Sequence, residues 1–271
     1  MVELMFWALA ILAALLALVW ALGARDPVFA ISRRAPTWFV ALKRARATLD
    51  LAPGVMVAWR STADFTFIGE EAPYWTDFII FAGGAAEKAP LTLGPEVTDA
   101  FIARVNLVRP PVFALGVLRL LVLTGILARP QGAVLADAQA LGHQAAFMPS
   151  AESIASLMMR PATYAPAMVN FLQYKGADGA RAYARYGRVA MRTVYRTGGH
   201  LIFYGRITEI VRAAQGGPCA GVWDDVAAMR YNRPEGILSM EHVPDYRAAL
   251  HHRDEGLQRT IVIASTPGVG V

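Results

Sequence analysis

The chain opens on a stretch with no alternation of polar and apolar positions. Leu4 to Gly23 reads LMFWALAILAALLALVWALG, twenty residues without a charge. At about 1.5 Å per residue, a helix of that length spans a roughly 30 Å hydrocarbon core. A cleaved signal peptide is the competing reading. It is disfavoured because Glu3 precedes the run with no Lys or Arg, the run exceeds an ordinary signal core, and the cations follow it. Trp7 and Trp20 stand near its two ends as interfacial anchors do. A second apolar run, Phe113 to Ala128, is sixteen residues long, carries Arg119 at its middle and lies between Pro110-Pro111 and Pro130. It is short for a span and its cation is costly there, so it reads as a core or interfacial helix in preference to a membrane hairpin.

Between these runs, Val55, Val57 and Trp59, then Phe65 and Phe67, then Phe78, Ile80 and Phe81 read as short strands separated by Gly, Pro and Asp. Pro95 to Val108 places Val97, Phe101, Ile102 and Val105 on one stripe at helical spacing. Pro36 to Leu51 sets Trp38, Phe39, Leu42 and Leu49 among Lys43, Arg44 and Arg46. It reads as a helix, either lying on anionic headgroups or packed on the body as a connector. The last third is clearer. Met168 to Tyr174 predicts a strand, Gly179 to Thr197 a helix stopped by Gly198-Gly199, and His200 to Val211 a strand followed by a turn at Gly216-Gly217-Pro218. Trp223 to Tyr231 predicts another strand, Pro234 to Leu257 a helix interrupted at Pro244, and Thr260 to Ala264 a closing strand. The order β-α-β-β-α-β is the split unit of the ferredoxin-like fold, and its second apolar sheet face needs a cover. Glu152, Ile154, Ser156, Leu157 and Pro161 recur as Glu235, Ile237, Ser239, Met240 and Pro244 at a constant offset of 83. A second chain is the expected cover; a degenerate first copy ending near residue 167, which would supply it within one chain, is the alternative.

The 271 residues are 55% apolar and 17% charged, with a mean hydropathy of +0.37. That balance excludes a disordered chain and a polytopic transporter, and fits a small membrane content on a globular body. The expected organisation is a transmembrane anchor over 1–24, a basic juxtamembrane segment over 25–51, a mixed α+β region over 52–160, which is the candidate degenerate copy, and the ferredoxin-like domain over 161–271. Net charge is +5. Its cations concentrate after the first run: Arg25, Arg33, Arg34, Lys43, Arg44 and Arg46 face only Asp26. The partner this implies is a bilayer with anionic headgroups, not a nucleic acid. The positive-inside rule puts the N-terminus outside and the globular body in the cytoplasm. The single Cys219 excludes an intramolecular disulfide and a cysteine zinc site, and fits a reducing compartment.

Asn170-Phe171-Leu172, Gly198-Gly199, Gly205-Arg206, Trp223-Asp224-Asp225-Val226, Ile237, Met240, Tyr246, His252-Arg253 and Gly256-Leu257 together resemble a bacterial family of dimeric α/β barrels catalogued as domain of unknown function 1330. The resemblance covers about residues 160 to 266. It implies a ferredoxin-like unit that pairs sheet to sheet with a second copy, in a family with no agreed activity. A bacterial cell-membrane protein follows from it together with the anchor.

For chemistry, His251-His252-Arg253-Asp254 ends the second helix, Asp224 and Asp225 open the third strand, and Tyr204 and Arg206 lie on the second. If the protein is an enzyme, His252 set by Asp225 serves as general acid or base, with Arg206 holding an anionic group. The alternative is that these are solvated or salt-bridged ends of elements. Asn170, Tyr204, Trp223, Tyr231 and Arg253 are the candidate ligand-binding residues. Tyr183, Tyr186, Tyr195, Tyr204 and Tyr231 line either an aromatic pocket or a core. A metal held by His251, His252, His242 and Glu241 needs a convergence that their spacing does not enforce, and HEXXH is absent. GxGxxG, GxxxxGK[ST] and a nucleophile elbow are absent as well, so no cofactor is expected. The favoured function is a noncatalytic, membrane-anchored accessory protein that binds a membrane complex or self-associates through its sheet. The alternatives are a cofactor-free enzyme, or a binding module, for a small hydrophobic or quinone-like compound.

Overall fold

A computed structural model of the chain describes residues 2–44, 49–69, 74–85, 88–130, 147–217 and 220–268. Arg46, Pro218 and Cys219 lie outside the described residues. The fold is mixed α+β: an N-terminal apolar helix followed by a large antiparallel sheet. Helix α1, Val2–Gly23, is exposed along nearly its whole length and is long and apolar enough to cross a membrane. A single turn, α2 (Pro27–Ala30), leads into the body.

Among the described residues, eight long strands close into an antiparallel barrel. The first four are β1 (Thr37–Arg44), β3 (Val55–Ile68), β4 (Asp77–Gly83) and β6 (Val97–Leu107). The other four are β7 (Ala167–Tyr174), β8 (His200–Arg212), β9 (Asp225–Arg230) and β10 (Leu257–Pro267). Two short strands, β2 (Asp50–Leu51) and β5 (Leu91–Thr92), form a separate ribbon. The barrel order is β1-β4-β3-β10-β7-β9-β8-β6 and back to β1. Each set of four is therefore arranged as its fourth, first, third and second strand, and the two sets join at β3–β10 and β6–β8. The barrel closes within one chain.

Helix α3 (Val112–Leu123) follows the first set, and α4 (Ala151–Met158) precedes the second. Helix α5 (Gly176–Arg196) connects β7 to β8; two 3-10 turns and α6 (Pro244–Gly256) connect β9 to β10. Tyr186, Ala190 and Val194, four residues apart, form the stripe that α5 lays on the sheet, beside Tyr246, Ala249 and Leu250 of α6. On the outer face of the first set, α4 lies on β3, where Ile154 and Leu157 meet Phe65 and Phe67. Trp38, Val40, Leu42, Ile79, Phe81 and Ile102 are instead buried under the β2–β5 ribbon and its flanks.

Two expected helices are strands, for one reason. In β1, Phe39 and Ala41 point into the barrel while Trp38, Val40 and Leu42 point out under the ribbon. In β6, Phe101, Ala103 and Val105 point in, and Ala100 and Ile102 point out. A strand buried on both faces shows a continuous apolar run in which the period of two is invisible. The three short runs around Val55, Phe65 and Phe78 prove to be two strands, because β3 continues through Ser61–Ala63 to reach both β4 and β10. The third strand of the last unit begins at Asp225, with Trp223 turned into the barrel before it. The offset-83 echo does not mark the doubling. The first strand set ends at Leu107, and Ile154 and Leu157 lie beyond it, packed with Leu238 and Met240 over Phe65 and Phe67 of β3.

Aromatic side chains fill the barrel. Phe39, Phe78 and Phe101 from the first set meet Phe171, Phe203 and Trp223 from the second. Phe171 has ring centroids of Phe39 at 5.4 Å, Trp223 at 5.5 Å, Phe101 at 6.0 Å and Phe78 at 6.2 Å.

Candidate functional site

Because inward positions are taken by this core, polar groups of the second strand set can gather only on the helix-covered face. Val226 and Phe203 point inward, so Asp225, Tyr204 and Arg206 project toward α5, and register places Arg206 opposite Asp225. Tyr174, at the end of β7, joins them. Its hydroxyl donates to Asp225 Oδ2 at 2.6 Å, as does that of Tyr204 at 2.6 Å, and the two phenol oxygens lie 2.8 Å apart. Asp225 is 5% exposed. Burial pushes its carboxyl above the usual range, against the two phenol hydrogen bonds and Arg206. Burial, with Asp225 beside it, raises the Tyr204 phenol. The cluster is thus a dry carboxyl capped by two hydroxyls, able to accept or donate hydrogen bonds at one edge of a cavity.

That cavity is a groove of about 800 Å³ between α3 and α5 over β8. Leu115, Leu118 and Leu121 of α3 form one wall, and Tyr183, Gly187 and Met191 of α5 the other. Tyr204 and Leu201 line its β8 side, and Arg188, Arg192 and Arg206 are its cations. Tyr183, Gly187, Met191 and Tyr204 also line a smaller space of about 100 Å³ between the helices and the sheet. Asn170, Tyr231 and Arg253 line that inner space. Four of the five expected ligand residues therefore line one or other of two adjoining cavities. The fifth, Trp223, is in the barrel, with Arg259 4.0 Å above its ring. Tyr186 borders the inner space, whereas Tyr195 turns away to the base of α1.

Of the expected catalytic set, Asp225 and Arg206 stand opposite each other on β9 and β8, and His252 has another partner. His252 lies on α6 with Nδ1 3.4 Å from Glu255 Oε2, while Asp225 is taken by the two tyrosines. Among the described residues, the histidine and acid groups that converge are His251, His252 and Glu255, whose ligand atoms lie within 4.8 Å of one another. Glu241 and His242 are not part of that group. His251 Nδ1 faces the Ala248 carbonyl and the group sits on the solvent side of α6. Of the expected membrane-facing cations, Arg33 and Arg34 are exposed. Arg44 is instead buried against Asp77, and Lys43 rests over the Tyr74 ring at 4.0 Å. Both follow from Thr37–Arg44 being a strand.

The groove's α3 wall is bound to α1. A Cβ on Gly23 would strike the Val112 carbonyl, and one on Gly116 the Val19 carbonyl, so only glycine lets the helices approach. Arg119 explains its place in an apolar helix: it donates to the Leu22 carbonyl and pairs with Asp26, which also accepts from Tyr195. Asp26 is 1% exposed. Burial raises its carboxyl, opposed by Tyr195 and Arg119. Sequence reasoning missed Tyr174, Gly187, Met191 and the leucines of α3 as site residues, since no motif joins them; they meet only through packing.

No family model and no curated protein matches the chain. Among solved structures, it is similar to the RPA0582 protein of unknown function from Rhodopseudomonas palustris, a structural genomics target. Identity is 26% over 43% of this chain and 92% of that one, with a TM-score of 0.37. The structure of methylated RPA0582 matches at 26% identity over 45% of this chain and 96% of that one, with a TM-score of 0.39.

Proposed function

We propose that this is a single-pass protein of a bacterial cell membrane whose cytoplasmic barrel binds a small apolar or amphiphilic molecule, quinone-like in size, drawn from the bilayer. The observation that carries this reading is the apolar groove of about 800 Å³, one wall of which is the helix bound to α1. A volume of that order suits a small-molecule site with apolar walls and a few polar groups. An apolar molecule leaving the bilayer along α1 meets α3 first. Its polar end then finds Tyr204 and Arg206, with Asp225 behind the Tyr204 hydroxyl. Arg25, Arg33 and Arg34 after α1 support a cytoplasmic body. The strand order β10-β7-β9-β8, with two helices over it, supports reading the second half as a ferredoxin-like unit of the dimeric-barrel type, the first strand set standing where a second copy would be.

The test is purification of the full-length protein from its native membrane in mild detergent, solvent extraction, and mass spectrometry of what is released. Wild type is expected to carry one apolar compound near stoichiometry. Gly187→Trp is expected to lose it, because a side chain there grows into open space; Leu118→Trp fills the groove from the opposite wall. Compound retained in both folded variants, or absent from wild type, overturns the reading. One observation favours the accessory role instead: Phe113, Val117, Leu123 and Ile126, in and just after α3, are exposed and apolar. A membrane complex that co-purifies stoichiometrically with an empty groove would establish that role.

A further inference from the structure

Where α1 ends, a second cavity of about 260 Å³ opens between the last turn of α3 and the α5–β8 turn. Leu22, Val122 and Leu123 form its apolar side, and Arg25, Arg119 and Arg129 its cationic side. Among the described residues, no carboxylate lines it. Asp26, beside Arg119, is spent on Arg119 and Tyr195. Arg25 and Arg129 are exposed and make no ion pair among the described residues. His200, also in the wall, does not balance them. Its imidazole is pushed down to about 4, first by burial and then by Arg119 and Arg230, so at neutral pH it is an uncharged hydrogen-bonding group.

We propose that this cavity is a headgroup site for an anionic phospholipid, whose phosphate seats on Arg25 and Arg129 while an acyl chain follows Leu22 and Leu123 onto α1. The proposal rests on α1 being a membrane span, since that places Arg25, two residues past Gly23, at headgroup depth. The occupant follows from the two-sided chemistry. A soluble phosphate compound has no use for Leu22 and an exposed Leu123, and a neutral lipid has no use for two guanidiniums that make no ion pair among the described residues. The cavity also adjoins the Arg119–Asp26 pair that joins α1 to the body, so an occupant would brace that joint.

The experiment is thermal unfolding of the full-length protein in maltoside micelles. It is titrated with short-chain phosphatidylglycerol, short-chain phosphatidylcholine or inorganic phosphate. Phosphatidylglycerol is expected to raise Tm saturably. Arg25→Gln with Arg129→Gln, both surface changes, should weaken its midpoint about thirtyfold, at about 1 kcal/mol per cation, while leaving the lipid-free Tm near wild type. An equal response to phosphatidylcholine, an equal response to inorganic phosphate, or an unchanged midpoint in the double variant overturns the proposal. Carbonate extraction of native membranes tests the span separately. Release of the protein refutes the span, whereas retention without a phosphatidylglycerol effect refutes the headgroup site alone.

Discussion

Replacing Phe171 by alanine probes whether the two strand sets share one interior. The side chain is 0% exposed. Three of its four ring partners, Phe39, Phe78 and Phe101, come from the first set, and Trp223 from its own. Removing a buried phenyl costs about 3–5 kcal/mol, because transfer energy is lost and the cavity relaxes only in part. Each aromatic pair adds about 0.5–1.5 kcal/mol beyond its area, which places this site at the upper end. For a body of this size about 1 kcal/mol lowers Tm by roughly 2–4 °C. A fall of roughly 8–20 °C is therefore expected. Phe171→Leu, which retains most of the volume, should cost roughly half as much. The assay is thermal unfolding of the full-length protein in mild detergent, followed by near-UV circular dichroism, where Trp223 and Trp59 report on the same interior. A fall below about 3 °C for Phe171→Ala, with native helix content, would refute a barrel filled by both halves.

Asp77 bridges Arg44 at 3.0 Å and Arg60 at 2.6 Å, and Arg44 is nearly buried. Asp77→Asn should cost about 3–5 kcal/mol in denaturant unfolding at pH 7 by stranding that cation. Burial tends to raise the Asp77 carboxyl, but Arg44 and Arg60 outweigh it and hold it below the usual value. Its contribution is therefore complete above about pH 4 and is lost as pH falls through the lower folded value, an acid limb that Asp77→Asn should lack. His200 titrates with the opposite group chemistry. Its folded value near 4 lies below the unfolded one of about 6.5, so stability should fall as pH drops through that window, and His200→Asn should flatten it. Gly187 sits inside α5 with open space beyond its Cα. Gly187→Ala should raise stability by up to about 1 kcal/mol in the same unfolding assay. Gly116→Leu should separate α3 from α1, seen as faster proteolysis near residue 130 and a lowered Tm.

The apolar pattern places β7, α5, β8 and β10 within a few residues of their observed ends, and it places α1 as well. Each of these is legible locally: the covered face of the second strand set has helices whose periods of 3.6 interrupt strands of period two. The first strand set has no such punctuation. Trp38 to Leu42 is apolar at every position because ribbon residues such as Leu51 and Leu91, distant along the chain, cover its outer side. The site was legible in part. Asn170, Tyr204 and Arg253 stand on strands or helices whose facing the pattern sets, and Tyr231 directly follows β9. His252 and Trp223 needed one further fact each, the rotation of α6 and the inward turn before β9.

By itself the sequence determined the elements whose burial is one-sided, the apolar helix at the N-terminus and the β-α-β-β-α-β order of the last third. It did so because a half-buried element writes its period into consecutive side chains. Only the tertiary structure decided that one chain closes the barrel, that Asp26 is the partner of Arg119, and that α3 and α5 leave a groove between them. Those outcomes depend on contacts such as Arg119 with Asp26 and Phe39 with Phe171, between residues far apart in the chain. No local pattern encodes them, because each is selected by the packing of surfaces that exist only after the strands have joined.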